Sequence, residues 1–247
     1  MVNRERSYKT EAIILNSKTF GESGHIYIVF TPEFGKLSIG ANGTKKPKSK
    51  LSGHLQISNR CNLVIAKGKS IDTISSAETT ELFPNIRESY DLINNVFYVM
   101  ELFDVFNPIN EINKDAYNLL LDSLRWLNIN QNVNLLILYI RMKILIISGW
   151  DLNFSSCNIC FDENKENLSS INSNYGGAIC NMCKPTIDNS LSTDAQSIKL
   201  LHYISLATRE KLLSLNLETP LIKKCLAITE FLIHDNLGFK LKTKLFL

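Results

Sequence analysis

Two cysteine pairs with the same internal gap, Cys157-Asn-Ile-Cys160 and Cys180-Asn-Met-Cys183, constrain this chain more than any other feature. They stand 19 residues apart. A Cys-x2-Cys turn aims both sulfurs at one centre, and a second turn at this distance completes a closed tetrahedral thiolate site, the kind structural zinc (Zn2+) takes. The stretch between them suits a short hairpin: residues 168–171 read as a strand, 172–175 as a turn, and Gly176-Gly177 as the return. Disulfides and idle buried thiols are the competing readings. With all four positions filled by sulfur none is left for a bound water, so such a metal is expected to hold structure and not to do chemistry.

The 247 residues allow one large domain or two to three small ones, and 45% apolar with 21% charged residues describes an ordinary folded protein. The N-terminus lacks the apolar core of a signal peptide. The most apolar run, residues 135–147, is too short to span a bilayer and carries Arg141 and Lys143. A cytoplasmic location is therefore expected, where a reducing environment favours metal over disulfide. Cys61 and Cys225 lie in apolar stretches and read as buried thiols.

Net charge is only +3, but its distribution is uneven. Residues 1–83 hold 12 Lys/Arg against 7 Asp/Glu, and residues 209–247 hold 7 against 4. Residues 84–156 hold 5 against 8, and residues 157–208 hold 3 against 5. Two basic ends flank an acidic middle, a layout suited to a polyanion. Chance asymmetry is the bland alternative.

Residues 8–82 read as β-structure, with short β-branched runs at 11–15, 25–30, 36–39, 55–66 and 70–81 separated by Gly and Pro breakers. Five strands without intervening helices argue for a small antiparallel barrel or sandwich, the OB-fold being the natural candidate. After Pro84 the period becomes helical, and Tyr90, Ile93, Phe97, Met100 and Val105 can share one face. Further helices are expected near 114–127 and 133–148, the latter apolar nearly all round and so central to a bundle. Beyond the cysteines, helices are expected at about 193–214 and 220–235. The expected organisation is α+β and multidomain: barrel at 1–83, helices at 84–155, zinc ribbon at 156–184, helices again at 185–247.

Between the third and fourth strands lies Thr44-Lys45-Lys46-Pro47-Lys48-Ser49-Lys50, four lysines in six residues. Such a loop offers several ammonium groups to a phosphate chain, each neutralised phosphate releasing a counterion. A solvated loop kept soluble by lysine is the alternative. Phe20, Tyr27, Phe30 and Phe34 are possible stacking faces for bases, although alternation places most of them in the core. Lys240, Lys242 and Lys244 form a basic C-terminal segment that can meet nucleic acid or a partner. Signatures of catalysis are absent. Gly68-Lys69-Ser70 lacks the first glycine of a phosphate loop and does not open a helix. No His-x-Glu or Gly-x-Ser-x-Gly occurs, so an enzyme is not expected.

Glu11-Ala-Ile-Ile-Leu15, Gly21-Glu-Ser23, the run from Phe30 through Thr31-Pro32-Glu33-Phe34-Gly35-Lys36 to Leu37, and Lys45-Lys46-Pro47-Lys48-Ser49 with Gly53-His54-Leu55-Gln56 resemble the N-terminal barrel of the bacterial recombination mediator family RecO. The later Ile71-Asp72-Thr73-Ile74, the two cysteine pairs and Leu241-Lys242-Thr243-Lys244 extend the resemblance over nearly the whole chain. It implies an OB-fold, a helical domain and a zinc ribbon that act without catalysis. It further implies binding of single- and double-stranded DNA, annealing of complementary strands, and recombinase loading onto strands coated with single-strand-binding protein, with RecR as partner. By the same resemblance Lys45, Lys46, Lys48 and Lys50 inherit DNA contact, with Lys36 a weaker addition. Gly24 stands where the family commonly has Asp, and Asn42-Gly43-Thr44 is less basic than usual. The contact with single-strand-binding protein has no linear motif, so no residue is assigned to it. A protein-interaction scaffold with only indirect DNA contact is the other functional reading.

Overall fold

The computed structural model describes residues 6–243 apart from Ser23, Pro47, Asn130 and Gln131, with only the backbone of Leu213. The expectations placed on Lys244 and on Pro47 therefore fall outside the described residues.

Five strands form the N-terminal sheet: β1 (Ser7–Phe20), β2 (Gly24–Thr31), β3 (Gly35–Ala41), β4 (Arg60–Ala66) and β5 (Thr73–Glu81). Their order, β1-β2-β3-β5-β4, closes through β1–β4 pairing into the barrel expected of an OB-fold. β1 serves two neighbours because it is long. Its first half pairs with β4 and its second half with β2. A bulge between Ile14 and Asn16 bends it from one to the other, which increases local twist. The β3–β5 seam is narrow, a single parallel pair at Gly40 and Thr73. Alternation fills the barrel with Ala12, Ile14, Tyr27, Val29, Ile39, Cys61, Leu63, Ile65 and Ile74. β4 begins five residues later than the sequence pattern suggested, because Leu55 enters this core from a turn and not from a strand.

Two helices belong to the same compact unit, α1 (Tyr90–Phe106) and α2 (Lys114–Ile129). Ser89 caps α1 by accepting the Leu92 N–H. The apolar face expected on α1 is corrected in part: Met100 is buried, but Tyr90 and Phe97 are exposed, whereas Leu92, Val96, Val99 and Phe103 are buried. With apolar side chains nearly all round this helix, period alone could not choose the face, and packing did.

α2 covers the outer side of the barrel, where Phe30 meets Tyr117 edge-on. Tyr117 donates its hydroxyl to Glu11, Arg60 bridges Glu11 and Glu81, and Arg125 grips Glu81 through two N–H groups at 2.8 and 2.9 Å. The buried Tyr117 hydroxyl, next to the Glu11 carboxylate, is pushed well above the usual tyrosine range, first by burial. These links hold α2 to the barrel, and with α1 packed on α2 and β1 the residues up to 131 form one compact unit.

The second unit contains α3 (Val133–Ile147), a three-stranded sheet of β6 (Leu168–Asn172), β7 (Gly177–Cys180) and β8 (Leu191–Ser192), then α4 (Ala195–Leu206), α5 (Arg209–Leu213) and α6 (Thr219–Leu237). α3 packs on α4 and α6 as the central helix, and its Arg141 is 1% exposed. That guanidinium donates to the Leu226 carbonyl at 2.8 Å and pairs with Glu230. The single helix expected at 193–214 is two helices, with Ala207 and Thr208 extended between them. The Ser205 carbonyl, orphaned at the end of α4, accepts from the Lys143 ammonium of α3 at 2.8 Å, so a tertiary contact supports the break. Among the described residues no helix is long and apolar enough to cross a membrane.

Candidate nucleic-acid interface and metal centre

The lysine loop, residues 42–59, joins β3 to β4. Lys45, Lys46, Lys48 and Lys50 are all exposed. What holds them is apolar: Leu51 and Leu55, four residues apart, reach back into the barrel core, Leu55 being 3% exposed. Burying one leucine in this way stabilises the loop by about 2 kcal/mol. Polar ties complete the mooring. Thr44 is buried with its hydroxyl 2.8 Å from His25 Nδ1, and the Asn59 amide donates to the His54 carbonyl at 2.9 Å. The Cys61 thiol also donates to that carbonyl, and burial pushes this thiol up to about 11, which keeps it inert. At the loop's start Lys45 donates to the Gly21 carbonyl of the β1–β2 turn at 2.8 Å. A leucine pair at one-turn spacing inside a polar loop was the sequence signal for this anchor.

Lys36 differs from the other four. It is 8% exposed, and its ammonium donates to the carbonyl and the carboxylate of Asp104, the latter at 2.9 Å, in the last turn of α1. The α1–α2 loop lies directly over it, with the Asn110 N–H donating to the Lys36 carbonyl at 2.8 Å. Gly35 beside it has φ +68°, and a Cβ there would stand 1.9 Å from the Glu111 carbonyl oxygen. A cation satisfying the carbonyl end of a helix is a fold contact. Lys36 therefore offers no free cation to DNA, contrary to the expectation, because its charge is covered and already paired.

The four expected ligands, Cys157, Cys160, Cys180 and Cys183, come together in the second unit, all four Sγ atoms within 4.8 Å of one another. Cys160 and Cys180 Sγ are 3.6 Å apart. Tetrahedral thiolates at about 2.3 Å from a zinc-sized ion would be about 3.8 Å apart, so the cluster is positioned to hold a metal ion. Cys61 and Cys225 are buried and outside it. The Cys180 N–H donates to Cys157 Sγ at 3.3 Å. Burial opposes a thiolate at Cys157, but backbone N–H groups of Cys160, Cys180 and Ile159 outweigh it and lower this thiol.

Local sequence accounts for the two turns. Asn158 donates from its side chain to the carbonyls of Asn153 and Ala178, both at 3.0 Å, locking the first turn to β7. Gly177 (φ +140°) lets Asn153 approach, since a Cβ there would sit 2.1 Å from the Asn153 oxygen. At the second turn the Asn181 N–H donates to the Asn167 carbonyl at 2.9 Å, and the Asn167 amide reaches Asp162. These supporting asparagines were not singled out from sequence. The one local signal was Asn158, immediately after the first cysteine of its pair, whose side chain makes the tie.

The fold defines a class: α+β proteins with a small closed β-barrel, a helical region and a four-cysteine cluster positioned to hold a metal ion. Models of two protein families match it, "Recombination protein O N terminal" over residues 5–83 and "Recombination protein O C terminal" over residues 87–245. A DNA repair protein RecO of Dehalococcoides mccartyi (strain CBDB1) is 30% identical over 241 residues, covering 98% of this chain and 93% of the relative. Its namesake in Caldicellulosiruptor bescii is 31% identical over 222 residues, covering 90% and 89%. The chain belongs to the RecO family of DNA repair proteins. Family membership places it with the machinery of DNA repair and recombination.

Proposed function

We propose that this protein is a recombination mediator that binds single- and double-stranded DNA through Lys45, Lys46, Lys48 and Lys50. It anneals complementary strands and helps load recombinase onto strands coated with single-strand-binding protein, with RecR as a further partner. It does so in the cytoplasm, at the nucleoid, without catalysis of its own. The observation that carries this reading is the group of four exposed lysines on a loop pinned into the barrel by Leu51 and Leu55.

A pinned loop limits the chain entropy lost when its ammonium groups settle on a phosphate chain. Phosphates neutralised there release counterions, so affinity falls with salt. Two strands lying against one cationic surface repel each other less, and their bases can then meet. Lysine–phosphate contacts carry no direct base information, so any complementary pair is a substrate for annealing.

The metal in this reading is zinc, held by Cys157, Cys160, Cys180 and Cys183. Fully thiolate-ligated zinc supplies structure and no open position for a reacting water. The residues themselves fix the two turns to β7 and to the segment before β6, which is why the centre belongs to folding.

The test is annealing of complementary strands coated with single-strand-binding protein, over a salt series, with purified protein and no RecR. Acceleration that salt suppresses supports the mediator. No acceleration from folded, metal-replete protein refutes it in favour of a scaffold that touches DNA only through partners.

A further inference from the structure

Four aromatic residues of the barrel region were open to contact with bases, and the structure separates them. Tyr27 is 4% exposed and Phe30 is fully buried. Phe34, 39% exposed, has its ring engaged by Tyr8, with centroids 4.9 Å apart. Phe20 alone of the four stands clear: it is 57% exposed at the end of β1, and among the described residues it meets no other ring.

Its position is as informative as its exposure. Phe20 pairs with Gly24 across the β1–β2 turn, and the next residue, Gly21, offers the carbonyl that Lys45 binds at 2.8 Å. Gly24 lies against the start of the lysine loop, where a Cβ would stand 2.9 Å from the Ala41 carbonyl oxygen and 3.6 Å from the Asn42 side chain. Around Gly21, with φ +58°, the space is open, and a Cβ there would meet nothing within 4 Å. The lysine loop and an open aromatic ring therefore share one end of the barrel. A large exposed aromatic is costly in water and gains when a flat π-surface covers it.

We propose that Phe20 is a base-stacking platform beside the lysine loop, taking an unpaired nucleobase while the lysines hold the adjoining phosphates. The inference rests on the DNA contact proposed for that loop and adds a second kind of recognition to it. Charge alone gives single strands no advantage, since duplex phosphates are the more densely spaced. A ring that needs a free base face favours single strands, because duplex bases are already stacked on each other. Base identity matters little, since every base has a π-face.

The experiment is fluorescence anisotropy with full-length protein and two end-labelled strands of equal length, oligothymidylate and an abasic deoxyribose-phosphate chain. The wild type is expected to bind oligothymidylate about tenfold more tightly. Phe20→Ala and Phe20→Leu should lose that preference while binding the abasic strand as before. Phe20→Trp should keep it and show emission quenched by oligothymidylate. Equal affinity of the wild type for both strands, or an undiminished preference in Phe20→Ala, overturns the platform while leaving the lysine contact in place. Salt-insensitive binding, or none, to both strands overturns the lysine contact and the platform together.

Discussion

Replacing Lys45, Lys46, Lys48 and Lys50 together by Gln removes four exposed charges while keeping the length of the loop. Each lysine that neutralises a phosphate on a single strand contributes roughly 0.7 to the salt slope. Four such contacts contribute up to about 2.8 in log affinity per decade of salt. Between about 50 and 200 mM salt, that slope corresponds to a roughly 50-fold fall in affinity which the variant should no longer undergo. Folding should survive, because Leu51, Leu55, Thr44 and Asn59 still hold the loop and only the exposed Lys45–Gly21 hydrogen bond is lost. Surface substitutions of this kind cost within about 0.5 kcal/mol each. Oligothymidylate binding would be titrated at four or five salt concentrations for both proteins, with melting curves as a control. A variant that melts like the wild type yet keeps its salt slope would refute the assignment and move the DNA surface elsewhere.

Other outcomes follow from the second unit. Cys157→Ser should release the metal, measured by atomic absorption, and lower Tm; zinc-dependent folding energies of related small sites are on the order of 10 kcal/mol. An unchanged Tm with metal lost would contradict a structural role. Arg141→Ala should destabilise by about 3 kcal/mol in urea denaturation, because it empties a fully buried site and frees the Leu226 carbonyl and Glu230 from their partner; a loss under about 1 kcal/mol would show the site collapses or rewets easily. Asp194 caps α4 through the Ser197 N–H at 2.7 Å and pairs with Lys224, the Lys224 ammonium being the largest cause that lowers its carboxyl to about 2. Its contribution is therefore present above the ordinary carboxylate pKa and lost as pH falls through about 2. Asp194→Ala should cost about 1 kcal/mol at neutral pH. Asp194→Asn should keep the cap yet remove this acid dependence; an unaltered acid limb in chemical denaturation would argue against it.

The cysteine centre was legible because its information is local: two short turns, each aiming two sulfurs, at a separation one hairpin can close. The strands of the barrel were legible for the same reason, since alternation and Gly or Pro punctuation operate over a few residues. The lysine loop could be recognised by composition, but its mooring only in part. The one-turn spacing of Leu51 and Leu55 was a signal, yet Leu55 read as the start of a strand, and only the folded barrel shows the core the pair enters.

Lys36 marks the limit most clearly. In sequence it is one more lysine of a basic region, on a strand, in a stretch matching a DNA-binding family. Only the descent of the α1–α2 loop onto Gly35, and the arrival of Asp104 from a helix 68 residues away in sequence, make it a structural cation. Likewise, the buried face of α1 and the break between α4 and α5 were decided by partners distant in the chain. The sequence by itself determined which residues carry charge, sulfur and apolar surface, and the local period in which they recur. The tertiary structure decided which of those charges water still reaches, because burial and pairing are properties of surfaces brought together from remote segments.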